Sequence, residues 1–179
     1  MKKFYCFLLI ILLCFGACGT GENTTEESTQ ASTTFDWLYG GVCAHRNDMM
    51  DIYTLIEIDG SDLITSSEGS LVTGYYENQE LRIVKIAVYQ SRHKVFRRFY
   101  PFGNDIVITG EKIIYATGEP LSEVTEEDLR LDAVFRALIK DGQVYCYTDE
   151  PEPMCDPGDT WYAEIYEKAV EALDQARTE

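Results

Sequence analysis

The strongest constraint on this chain lies between Leu71 and Thr148. Short runs rich in Val, Ile, Tyr and Phe recur there, most of them separated by Gly, Pro, Asn or Asp. β-Branched and aromatic side chains suit a pleated, half-buried surface, and turn residues at the junctions point to hairpins. The runs place strands at Leu71–Glu77, Leu81–Gln90, His93–Tyr100, Asp105–Thr109, Glu111–Ala116, Ala133–Lys140 and Gln143–Thr148. Asp141-Gly142 is the stronger hairpin signal, because both central residues of the favoured two-residue turn need positive φ. Asn78-Gln79 is weaker, since Gln tolerates that region poorly. Pro101-Phe102-Gly103-Asn104 is a differently built turn.

One hairpin predicts its own register. With Ser91-Arg92 as a two-residue turn, the numbers of cross-strand partners sum to 183, and the side-chain period of two sorts them by face. Val84, Ile86, Val88, Val95 and Phe99 then face the core. Ile83, Lys85, Ala87, Tyr89, Lys94, Phe96, Arg98 and Tyr100 share the other face. Lys85 falls opposite Arg98, a destabilising like-charge pair unless an acid or an anionic ligand lies between them.

Helical signals flank the strands. Asp159 can cap a helix whose apolar positions Tyr162, Ile165, Tyr166, Ala169, Leu173 and Ala176 follow the 3.6 period, with Glu164, Glu167, Glu171 and Asp174 on the opposite stripe. Thr125-Glu126-Glu127-Asp128 has capping-box spacing and predicts a short helical turn. Met49, Ile52, Tyr53 and Ile56 fit one face of a helix capped by Asn47 or Asp48, while a strand over Ile52–Ile58 fits nearly as well. The expected class is α+β: a single antiparallel sheet of six or seven strands built from hairpins, with the C-terminal amphipathic helix packed on one face.

The amino terminus is of another kind. Lys2 and Lys3 precede an apolar run from Phe4 to Phe15, which ends in Gly16-Ala17-Cys18. Those twelve residues would reach about 18 Å as a helix, against a hydrocarbon core of roughly 30 Å. A basic start, a short apolar middle and small closing residues are the parts of an export signal rather than of a spanning anchor. Phe15-Gly16-Ala17-Cys18 resembles the lipobox of bacterial lipoproteins, matching at Gly16, Ala17 and Cys18 and departing at Phe15, where the family usually carries Leu. The resemblance implies a signal over residues 1–17, acylation of Cys18 and an exported, lipid-anchored address in the cell envelope, at the outer membrane in a Gram-negative cell. The alternative is an ordinary signal cleaved near Ala17. Residues 18–34, rich in Ser, Thr, Glu and Gly, then form a tether reaching roughly 20 to 24 Å, and residues 35–179 form one domain. The hairpins of Leu71–Tyr147 resemble those of small, mostly uncharacterised Bacteroidetes-type lipoproteins, which implies an antiparallel sheet and an envelope address but no activity.

Charge narrows the partners. Fifteen Lys plus Arg stand against 31 Asp plus Glu, a formal charge of −16, and loss of residues 1–17 would remove two lysines more. Phosphate backbones are repelled by such a body, so nucleic acid is excluded as a partner. Against that background the strip of Lys85, Tyr89, Lys94, Phe96, Arg98 and Tyr100 is the candidate ligand-binding surface, for a glycan, a peptide or an envelope protein. The competing reading is that the protein's own acidic helix or loop covers it. Asp149, Glu150, Glu152, Asp156 and Asp159 form a candidate metal loop suited to calcium, although the ordered ligand spacing of a calcium loop is absent, and a solvated acidic turn is the simpler reading. No other cofactor is implied.

Cys43, Cys146 and Cys155 remain in the body, and Cys146–Cys155 is the expected disulfide. Catalytic groups are sparse. His45 and His93 are the two histidines, neither in a nucleophile motif. The expectation is therefore a lipid-anchored, non-enzymatic binding or interaction module. Its alternatives are a carboxylate-dependent hydrolase of envelope or host glycans and a cation-stabilised structural lipoprotein.

Overall fold

The computed structural model describes residues 39–115, 128–147 and 160–178. Helix α1 (Gly41–Asp48) leads through a 3₁₀ turn (Met50–Ile52) into strand β1 (Thr54–Asp59). There follow β2 (Ser70–Glu77), β3 (Glu80–Tyr89), β4 (His93–Phe102), β5 (Asp105–Tyr115), β6 (Leu129–Lys140), β7 (Gln143–Cys146) and helix α2 (Trp161–Thr178). The strands form one sheet in the order β1-β2-β3-β4-β5-β6-β7, antiparallel throughout, so every strand pairs with its neighbour in sequence. This is the expected α+β class, a single antiparallel sheet of hairpins with its C-terminal helix.

The β3–β4 register is the expected one: Val84 pairs with Phe99, Lys85 with Arg98, Val88 with Val95 and Tyr89 with Lys94. Gln90 donates its backbone N–H to the His93 carbonyl at 2.9 Å, closing the turn over Ser91 and Arg92. Asp141 and Gly142 take φ of 52° and 74°. Asn78 and Gln79 do the same at 51° and 70°, so Gln79 accepts the left-handed conformation that the hairpin twist demands.

Several expectations need correction. Asp105–Thr109 and Glu111–Ala116 are not two strands: β5 runs unbroken through Gly110. Asn47 and Asp48 do not cap a helix over Met49–Ile56. They lie inside α1, and the strand alternative holds for Thr54–Asp59. β6 begins at Leu129, four residues before the expected start. Thr125–Glu127 and Asp159 lie outside the described residues, as does the expected bridge partner Cys155.

Helix α2 crosses the sheet obliquely. Tyr162 meets Phe135 of β6 with ring centroids 6.0 Å apart, Tyr166 meets Phe99 of β4 at 5.6 Å, and Leu173 lies over Gly74 of β2. Tyr162, Ile165, Ala169 and Leu173 are buried, while Glu164, Glu167, Glu171 and Asp174 are exposed, as the helical period requires. Burying each large side chain contributes about 1.5 to 3 kcal/mol, and this face joins Val72, Val84, Ile86, Val88, Phe99, Ile108, Ala137 and Ile139 in one core.

Two mid-strand glycines make the close approach possible. A Cβ on Gly74 would meet Tyr76 at 2.7 Å and Leu173 at 3.0 Å. On Gly110 it would lie 1.6 Å from the ring of Phe135, which is buried and closely packed. Glycine here leaves space for an aromatic ring of the next strand. Gly110→Ala is expected to destabilise the fold by about 3 kcal/mol, the upper end of overpacking costs. Urea unfolding followed by circular dichroism measures it, and an unchanged midpoint would contradict this packing account.

Candidate functional site

The face away from α2 has two parts. At one end α1 lies on it. Arg46 donates from Nη1 to the carbonyls of Arg82 and Pro101, both at 2.9 Å, and its guanidinium sits 4.2 Å from the Phe102 ring centroid. Beneath the helix, Cys43, Tyr75, Ile83, Tyr100, Val107 and Leu138 form a second core. Tyr100 is 0% exposed and donates to Asn47 Oδ1 at 2.9 Å. The strip is therefore covered at its Tyr100 end, though by a helix carrying His45, Arg46, Asn47 and Asp48 rather than by an acidic one. Tyr100 is an interior residue, not a surface for ligand.

Beyond α1 the strip is half-exposed at Lys85, Tyr89, Lys94, Phe96 and Arg98. The registers of neighbouring strands complete it. Glu57 pairs with Thr73, Thr73 with Lys85, Lys85 with Arg98, Arg98 with Thr109, and Thr109 with Arg136, giving a polar row across β1 to β6. In the adjoining row Phe96 pairs with Glu111. Lys85 Nζ lies 4.9 Å and Lys94 Nζ 5.3 Å from the Phe96 ring centroid, so the ring holds two ammonium groups by its π-electrons.

An acid offsets one side of the Lys85–Arg98 clash. Arg98 Nη1 donates to Glu111 Oε1 at 2.9 Å, a diagonal contact between β4 and β5. Lys85 has no equivalent bond. Burial holds its pKa below the ordinary lysine value and Arg98 adds to the depression, with Glu111 and Glu57 acting in the opposite sense. The hydroxyl of Tyr75 is pushed up in pKa by burial, with the Arg98 charge opposing. Glu57, Thr73, Thr109 and Glu111 were not singled out from sequence, because their places depend on the β1–β2 and β4–β5 registers. The alternation of Glu57 with Ile56 and Ile58 was the one available signal.

Arg97 is the charged residue on the other side of the same strand. It lies on the α2 face between Ile86 and Gly110, with its guanidinium 5.0 Å from Trp161, 5.8 Å from Tyr162 and 5.9 Å from Phe135 ring centroids. Three rings solvate a charge that a neighbouring strand position would otherwise leave in an apolar core.

All five carboxylates of the candidate calcium loop, Asp149, Glu150, Glu152, Asp156 and Asp159, lie outside the described residues. Among the described residues no group of three or more His, Cys, Asp and Glu side chains could hold a metal ion, and no helix is long and apolar enough to cross a membrane. Cys43 is a free, buried thiol whose pKa is pushed up to about 11 by burial, against the pull of Arg46. No protein-family model, curated protein or solved structure matches this chain.

Two measurements follow from this geometry. Glu111→Gln should lower stability by about 0.5 to 1 kcal/mol, the modest size expected of a half-exposed pair. That loss should shrink in a Lys85→Met background, where Arg98 no longer faces a second cation; equal losses in both backgrounds, in a double-mutant cycle by urea unfolding, would deny the coupling. For Cys43, a pKa raised from 9.0 to about 11 makes the thiolate about a hundredfold rarer than in the unfolded chain at pH 8. Iodoacetamide should label it at least that much more slowly in the native protein, read by peptide mass mapping. The unfolded state ionises first, so Cys43's contribution to stability is whole below pH 9 and is lost as pH rises from 9 to about 11.

Proposed function

We propose that this chain is a lipid-anchored cell-envelope protein whose β3–β4 face is a non-enzymatic binding surface for a glycan, a peptide or a partner protein. The supporting observation is the gathering of Lys85 and Lys94 over Phe96 with Arg98 opposite Lys85, half-exposed beyond α1, in a chain with a formal charge of −16. Electrostatic complementarity on such a patch raises encounter rates with anionic partners while the acidic remainder turns them away elsewhere. The anchor would be the acylated Cys18 after removal of residues 1–17, with residues 18–34 as the tether. An exported address would also oxidise Cys146 and Cys155 to a bridge.

The two halves of the reading are tested separately. In the native host, Cys18→Ala should move the protein from the membrane pellet to the soluble fraction; unchanged association would remove the anchor. A photo-reactive amino acid in place of Phe96 or Tyr89 in the full chain should give a discrete cross-linked adduct on intact cells. The same group at exposed Glu167 on α2 serves as the control. Identical adducts from both faces, or none from the strip, would remove the binding surface.

A further inference from the structure

Two cations on adjacent strands are directly opposed in this strip, and only one of them is held by an acid. Arg98 commits Nη1 to Glu111, and its Nε is buried with no partner. Lys85 is half-buried beside it, with its ammonium over the Phe96 ring and no ion pair or hydrogen bond among the described residues. The fold keeps an unfavourable juxtaposition that a single further oxygen pair would relieve.

We infer that Lys85 and Arg98 together hold one singly charged oxyanion, a carboxylate or a sulfate ester, carried by the molecule that this face binds; the inference rests on the binding reading above. The guanidinium is a rigid fork of five donors, so engagement of Nη1 by Glu111 leaves the Nη2 donors uncommitted among the described residues, and Lys85 supplies up to three more from the facing strand. Thr73 and Thr109 flank the two cations in the same row, but their hydroxyls are engaged, with Glu57 Oε1 and the Tyr100 hydroxyl respectively, both at 3.4 Å, so the oxyanion rests on the two cations. Phe96 bounds the site on one side, with Lys94 also against its ring.

Charge sets the valence. Among the groups whose fields reach Lys85, Lys85 itself, Lys94 and Arg98 stand against Glu57 and Glu111, leaving one net positive charge; Arg136, opposite Thr109 on β6, lies two strands beyond Arg98 and has partners of its own. A monoanion neutralises the group. A phosphate dianion would leave it negative beside two carboxylates, in a site where burial already weakens solvent screening.

The test uses the purified full chain in detergent, followed by NMR of the Lys85 amide and the Arg98 Nε–H, at constant ionic strength made up with chloride. Acetate and methyl sulfate are titrated as the two monoanion probes, with methyl phosphate as the dianion at pH 8 and acetamide as the neutral control. Acetate, methyl sulfate or both should give saturating shifts, and whichever saturates at lower concentration names the source group. Acetamide should give none, and methyl phosphate should bind no tighter than the better monoanion. Lys85→Met should weaken binding about tenfold or more, and Lys94→Met by less than about threefold. Non-saturating shifts, or equal binding in Lys85→Met, would overturn the site. Methyl phosphate about tenfold tighter than either monoanion would overturn the charge count that defines it. A Phe96 cross-link that survives in Lys85→Met alongside absent anion binding would leave the binding surface standing without the anion site. Saturable anion binding with no cross-link would do the reverse.

Discussion

Close contact between α2 and the sheet is the condition on which the rest of this fold depends. The helix brings Tyr162, Tyr166 and Leu173 down onto β6, β4 and β2 in turn, and the sheet accommodates the aromatic layer because Gly74 and Gly110 present no side chains. Phe135 fills the space above Gly110, and Tyr162 packs against Phe135 at a tilt. Removing water from that layer provides the main stabilising term on this face. It also fixes which side of each strand is left for other purposes.

The opposite face is divided by α1. Arg46, tied to two backbone carbonyls and stacked on Phe102, holds the helix across one end, where Tyr75, Ile83 and Tyr100 become interior. Past the helix end the same strands carry charge instead of hydrocarbon. A sheet buried on both sides at one end and on one side at the other is a common way for an antiparallel layer to combine rigidity with an open surface. Here the rigid end shares β3 and β4 with the open one, so Lys85 and Arg98 project from backbone that is already fixed.

Much of this architecture could be read from the residues, for identifiable reasons. The β3–β4 register followed from a two-residue turn and a strict period of two, which together leave one pairing. The stripe on α2 followed from helical spacing between Tyr162 and Leu173. Gly110 misled, because a glycine inside an apolar run reads as punctuation when the ring that needs its space comes from a strand 25 residues away. The segment before β1 was ambiguous because its apolar spacing suits both periods. Tyr100 was placed on the right face of the strand, but the helix that buries it lies more than 50 residues earlier, beyond any local pattern. Lys85 and Arg98 were found from one hairpin, whereas Glu57 and Glu111 required the whole sheet.

Strand order equal to chain order has a consequence for how the protein is made. Each hairpin can close as soon as it leaves the ribosome, since its partner is always the segment just synthesised. The helix that shields Val72, Phe99 and Phe135 emerges only after β1 to β7. Until the turn containing Leu173 is free, a nascent sheet must wait with one greasy side bare, the interval in which a holdase has the most to protect.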